Sequence, residues 1–204
     1  MNLKQIKNKK PFAKGHRGII YIGTYKKIKV AIKKKNPKSK AINRIQNEIK
    51  FLKILNKKGI GPKILFHGKN YFVYKFIKGE FILNYIKNNK KTKIKQVLKQ
   101  VLKQCHIMDQ LKITKEEMHH PYKHVIINKK VNLIDFERVH YTEKPHNVTQ
   151  FLQYIMSLKQ ILEKKGIKVN KRTIRSLAKQ YKKDYKISNL KNAIWRTRTN
   201  MYWL

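Results

Sequence analysis

The alternation of apolar and polar positions changes its period once along the chain. Between residues 15 and 80 short runs rich in β-branched and aromatic residues dominate: Ile19 to Tyr25, Ile28 to Lys33, Lys63 to His67 and Tyr71 to Ile77. These predict strands, with Lys26-Lys27 as the turn of a hairpin joining the first two. Between the second and third runs, Ile42, Ile45, Ile49, Leu52 and Leu55 recur at helical spacing within Ser39 to Lys57, and Gly59 and Gly61 stop that helix. After Gly79 the period becomes helical. Ile94, Val97, Leu98, Val101, Leu102, Cys105 and Met108 predict one long amphipathic helix, and Val148, Phe151, Leu152, Ile155, Leu158 and Leu162 predict another. Between them lie an irregular stretch, Ile113 to His124, and two short strands, Val125 to Ile127 and Val131 to Ile134. The expected fold class is α+β, with a sheet-and-helix lobe over residues 1–79, a mainly helical lobe over 80–204, and a hinge near Phe76 to Gly79.

Composition narrows the class. A chain of 204 residues with 41% hydrophobic content can bury a core in each lobe, which excludes a disordered tail. Its apolar runs fall well short of the ~20 residues that cross a bilayer, and MNLKQIKNKK has no signal-like apolar stretch. No membrane span and a cytoplasmic location are therefore expected. Cys105 is the single cysteine, which rules out an internal disulfide or a cysteine metal cluster, and its place among the apolar helix positions assigns it to the core.

With 51 Lys and Arg against 10 Asp and Glu, the formal charge is +41. Such a field attracts polyanions, RNA among them. The lysines are spread along the chain, which suggests non-specific affinity, and a lysine-favouring composition alone would give the same count. From Lys171 onward Arg172, Arg175, Arg196 and Arg198 interleave with Tyr181, Tyr185, Trp195, Tyr202 and Trp203. These could bind RNA by charge and stacking, or the aromatics could fill a core.

Because carboxylates are scarce, their positions are informative. Glu48 is the only one in the first 79 residues, and it stands three positions after Ile45 and four before Leu52, inside the apolar arc of its helix. A carboxylate there needs a cation, and Lys33, at the end of Val30-Ala31-Ile32-Lys33, is the candidate; a helix-edge glutamate answering any of many lysines is the alternative. Asp135 closes the strand Val131 to Ile134 and precedes Phe136. That position suits an oxygen ligand for a divalent cation, or simply a strand cap.

In order and context these segments resemble the protein-kinase superfamily. Gly15-His16-Arg17-Gly18 looks like the tail of its glycine-rich phosphate loop, lacking the first glycine. Val30-Ala31-Ile32-Lys33 matches the VAIK strand, Glu48 falls where the lysine's helical partner belongs, and Asp135-Phe136-Glu137 resembles DFG with glutamate for glycine. Lys115-Glu116-Glu117-Met118 and Asp135-Phe136-Glu137-Arg138 are similar to stretches in small archaeal predicted serine/threonine kinases, and the second also resembles endings in lipopolysaccharide-type sugar kinases.

The resemblance implies a bilobal kinase-like fold with ATP bound between the lobes. Gly15, Gly18, Ala31 and Lys33, with backbone groups near Lys75 and Ile77, would hold the nucleotide, and Asp135 would hold Mg²⁺. The catalytic loop departs from H-R-D-L-x-x-x-N and lacks an aspartate. Counting forward from Ile113 puts Glu117 at the catalytic position, and counting back from Val125 puts His124 at the metal-binding asparagine. His119, His120 and His124 match no usual zinc spacing. The helix from about Asn147 follows so soon that no long activation segment is expected.

The functional expectation is an ATP- and Mg²⁺-dependent atypical serine/threonine protein kinase with a protein or small-molecule phosphoacceptor. Its rivals are a pseudokinase that binds RNA or a ribonucleoprotein, and a kinase of a sugar or other small molecule.

Overall fold

The computed structural model of the chain describes residues 2–15, 17–40 and 43–188. His16, Ala41, Ile42, Trp195, Arg196, Arg198, Tyr202 and Trp203 lie outside them. In chain order the strands and helices begin with β1 (Lys7–Lys14), β2 (Gly18–Tyr25), β3 (Ile28–Lys35), α1 (Arg44–Asn56), β4 (Ile64–Gly68), β5 (Tyr71–Lys75) and β6 (Glu80–Phe81). Then come α2 (Ile82–Asn88), α3 (Lys91–Gln110), β7 (Ile113–Thr114), β8 (Val125–Ile127), β9 (Val131–Leu133) and β10 (His140–Tyr141). The series ends with α4 (Asn147–Ser157), α5 (Lys159–Lys164) and α6 (Lys171–Asp184). This is the α+β, kinase-like class, with an antiparallel sheet toward the N-terminus and a reduced, mainly helical C-terminal part. Two compact units divide the chain: a sheet unit, Met1–Glu80 with His124–His140, and a helical unit, Phe81–Lys123 with Tyr141–Leu204.

In the sheet unit five strands run in the order β1-β2-β3-β5-β4. β2 and β3 pair without a break from Gly18↔Lys35 to Tyr25↔Ile28. Their two-residue turn holds Lys26 at φ 46° and Lys27 at φ 64°, the left-handed pair that matches the twist of a hairpin. The periodicity gave no sign of β1, because this edge strand is exposed at all eight positions and reads as a lysine-rich polar run. Its Pro11 lies beside a register shift, which an edge strand tolerates.

Val30 and Ile32 join Ile6, Tyr25, Phe66 and Val73 in one apolar cluster. Strand alternation turns Lys33 to the opposite face, toward α1. α1 buries Ile45, Ile49, Phe51, Leu52 and Leu55 and lies across β3, β4 and β5. It begins at Arg44, later than the Ser39 that periodicity suggested, because Asn43 sits at φ 56° and cannot belong to a right-handed helix. β8 and β9 form an antiparallel hairpin fastened to this unit at Gly79, where an added Cβ would collide with the Ile127 carbonyl, and by an Asn128 Nδ2 bond to the Lys78 carbonyl at 3.1 Å.

In the helical unit α3 buries Ile94, Val97, Leu98, Val101, Leu102, Cys105 and Met108. The single helix expected around Val148 to Leu162 is two, α4 and α5, broken where the Ser157 hydroxyl donates back to the Tyr154 carbonyl at 2.8 Å. Asn170 caps α6 by accepting the Thr173 N–H at 3.0 Å. On α6 Tyr181 is core and Arg172 and Arg175 are exposed. No described helix is long and apolar enough to cross a membrane.

Gly59 and Gly61 end α1 differently. Gly59, at φ +70°, has nothing within 4 Å of an added Cβ, whereas at Gly61, φ +79°, that Cβ would lie 2.6 Å from Leu52 Cδ2 and 3.1 Å from Phe136 Cε2. Gly59→Ala should cost about 1 kcal/mol of stability through backbone conformation alone, and Gly61→Ala about 2–4 kcal/mol. Urea denaturation of the two variants measures the difference, and equal losses would contradict this packing.

Candidate functional site

The sheet unit gathers three carboxylates around Lys33. The glycine at residue 18 lets β3's lysine pass, since a Cβ there would lie 3.1 Å from Lys33 Cε. Asn36, just beyond β3, secures the Gly15–Gly18 turn: its N–H donates to the Arg17 carbonyl and its side chain to the Gly15 carbonyl, both at 3.0 Å. The Gly15 N–H closes the turn on the Gly18 carbonyl at 2.9 Å. Ala31 is buried within β3, paired with Ile22 and Tyr74.

Lys33 Nζ stands 2.7 Å from Glu48 Oε2, 2.7 Å from Asp135 Oδ1 and 3.6 Å from Glu137 Oε2. Burial alone would pull its pKa down, but the Glu48 and Asp135 carboxylates outweigh burial and hold the ammonium above the ordinary lysine range. Glu48 is 2% exposed. Burial pushes its carboxyl up, and the Lys33 ammonium and the Phe136 N–H, donating to Oε1 at 2.9 Å, oppose that.

The segment after β9 is shaped to bring its carboxylates in. Asp135 has φ 62°, a left-handed conformation that costs an aspartate about 1 kcal/mol and that reverses the chain so Phe136 enters the core. α1 holds this bend from two adjacent residues: Glu48 takes the Phe136 N–H, and Asn47 Nδ2 donates to the carbonyls of Glu137 at 3.1 Å and Val139 at 2.8 Å. Arg17 Nη1 reaches Glu137 Oε1 at 2.8 Å.

Oxygens of Glu48, Asp135 and Glu137 lie within 4.8 Å of one another, a carboxylate set suited to a hard divalent cation. Asp135 is the most accessible of the three, with its side chain 37% exposed, against 2% for Glu48 and 12% for Glu137. The imidazole of His124 is not part of that set. Its carbonyl accepts the Ile134 N–H at 2.9 Å. At the end of β5 the Lys75 N–H donates to the Lys63 carbonyl at 3.3 Å and the Phe76 N–H to the Lys29 carbonyl at 3.0 Å, and Ile77 is half-buried.

Glu117 belongs to the helical unit, in a short 3-10 turn, Glu116–His119. Lys115, with no exposed side-chain surface, puts its ammonium 3.0 Å from Glu117 Oε2. α4 fixes the backbone on either side: Asn147 Oδ1 accepts the Lys115 N–H at 2.7 Å and Gln150 Oε1 the Met118 N–H at 2.9 Å. Asn147 is held in turn by Asp109, which accepts its backbone N–H at 3.0 Å and its amide at 2.6 Å, and which also takes the Val148 N–H at 3.2 Å and the Tyr181 hydroxyl at 3.0 Å.

Sequence reading did not single out Asn36, Asn47, Arg17, Lys115 or Asp109 for these tasks. The retrievable signal was the rarity of acids: Asp109 sits on the apolar face of α3, as Glu48 does on α1.

No curated protein matches the chain. The RIO domain family profile matches residues 8–177, a stretch that contains the glycine turn, Lys33, Glu48, Glu117 and the Asp135 bend together. With most of its length matched in this way, the chain belongs to the RIO domain family, an atypical branch of the protein-kinase-like proteins.

Proposed function

We propose that this protein is an ATP- and Mg²⁺-dependent phosphotransferase of the atypical serine/threonine protein-kinase type. The observation that carries the reading is the ammonium of Lys33 set between Glu48 and Asp135 at 2.7 Å each, in a chain of a kinase-like family.

In this reading Gly15 and Gly18 let the turn backbone approach the phosphates, and Lys33 neutralises them while Glu48 keeps its ammonium aimed. Asp135 holds the metal, with Glu137 beside it. Bound Mg²⁺ would supply charge neutralisation for the transferring phosphoryl group. Glu117, oriented by Lys115, aligns the acceptor hydroxyl and takes its proton. Assays that offer protein and sugar acceptors in parallel separate the protein-kinase reading from the small-molecule one. The +41 charge supports the RNA-binding pseudokinase as the rival outcome, marked by salt-steep RNA affinity without ATP turnover.

Asp135→Ala should lower phosphotransfer by about a hundredfold or more, because metal-borne charge stabilisation is worth several kcal/mol, and should lower the urea midpoint less than Lys33→Ala does, since Glu48 and Glu137 still face the ammonium. Full transfer by that variant would remove the metal assignment. Lys33→Ala should both abolish transfer and cost about 3–5 kcal/mol of stability, because it strands the Glu48 carboxylate without its cation. Glu117→Gln should reduce kcat by about 10²–10⁴-fold at little cost in KM for ATP. An unchanged kcat would exclude Glu117 as the residue that handles the acceptor proton.

A further inference from the structure

Glu137 spans two cations. Its Oε1 is 2.8 Å from Arg17 Nη1 and its Oε2 is 3.6 Å from Lys33 Nζ. Arg17 lies in the glycine turn and Lys33 on β3, and the turn is seated against the stem of Lys33 at Gly18. A carboxylate that engages a guanidinium with one oxygen and faces an ammonium with the other imitates the way a phosphate bridges two basic groups. Asn36 holds the backbone around Arg17 in place, while the guanidinium reaches across to a residue 120 positions away in sequence. The Arg17 side chain is 40% exposed, so an incoming anion can approach it.

We infer that Glu137 is a resident anion on the phosphate-binding cations, and that the phosphates of a nucleotide displace it, taking over the Arg17 guanidinium as a direct contact. This rests on the nucleotide-binding reading above and adds to it a phosphate-binding residue, Arg17, and an internal competitor, Glu137. The two side chains therefore act on nucleotide affinity with opposite signs. A pair that served only to brace the fold would weaken binding whichever partner was removed.

The test is a calorimetric titration of ADP, with chelator present and ionic strength fixed, on the wild-type protein, Arg17→Gln, Glu137→Gln and the double variant, with adenosine as the phosphate-free control. Arg17→Gln should weaken ADP about tenfold and Glu137→Gln should tighten it about tenfold, each the size of one charge-assisted hydrogen bond. In the Arg17→Gln background the gain from Glu137→Gln should shrink to about twofold, what remains being relief of Lys33. Adenosine affinity should be the same in all four, and Arg17→Lys should recover part of the ADP affinity. An Arg17→Gln protein that binds ADP as the wild type does, or an equal gain from Glu137→Gln in both backgrounds, overturns the inference, the latter because it would be a general field effect. If wild-type protein binds ADP and the four proteins do not differ, this inference alone fails. If wild-type protein binds no ADP, the nucleotide reading fails with it.

Discussion

An ammonium that is nearly withdrawn from water must find anions, and in the sheet unit that requirement ties β3, α1 and the bend after β9 together. Lys33 draws a carboxylate from α1 and two from the bend after β9. Each brings its own backbone into position: Glu48 takes the Phe136 N–H, and Phe136 is thereby set in the core beside Gly61 and Leu52. The left-handed backbone at Asp135 persists because these contacts over-determine it. Helix, sheet and bend are thus one electrostatic unit, in which the polar contacts and the apolar packing depend on each other.

The helical unit repeats this logic with a different anion. Asp109 receives hydrogen bonds from the start of α4 and from Tyr181 of α6, joining three helices around one buried carboxylate. Through Asn147 the same carboxylate is linked to the turn that carries Lys115 and Glu117. Burial raises the Asp109 pKa, and the hydrogen bonds it accepts oppose that shift. A buried anion on one helix thus helps decide where the Lys115–Glu117 pair stands.

The parts of the fold that were legible in the sequence are those whose faces differ. α1 and α3 announced themselves because one side of each is apolar, and β2 to β5 because β-branched and aromatic residues crowd them. β1 was invisible, since an exposed edge strand of lysines has no contrast to read. The split of α4 from α5 falls at Leu158, inside an apolar stripe that runs on from Val148 to Leu162, so it carries no periodic signal. At the site, Lys33, Glu48 and Asp135 were legible as charges in apolar contexts. Their supports were not: Asn36 and Asn47 are ordinary polar residues until the chain folds, and Arg17 is one basic residue among 51, with nothing local to tie it to residue 137.

So few acids, placed so deliberately inward, leave the outside of the molecule to its cations. Of ten carboxylates only Glu143, Glu163 and Asp184 stand at exposed positions, and lysine is the prevalent charge among the exposed described residues. Mutual repulsion across such a shell opposes compaction, and dissolved anions that gather around it relieve the strain. The counter-ion atmosphere thereby enters the balance that keeps so basic a chain compact.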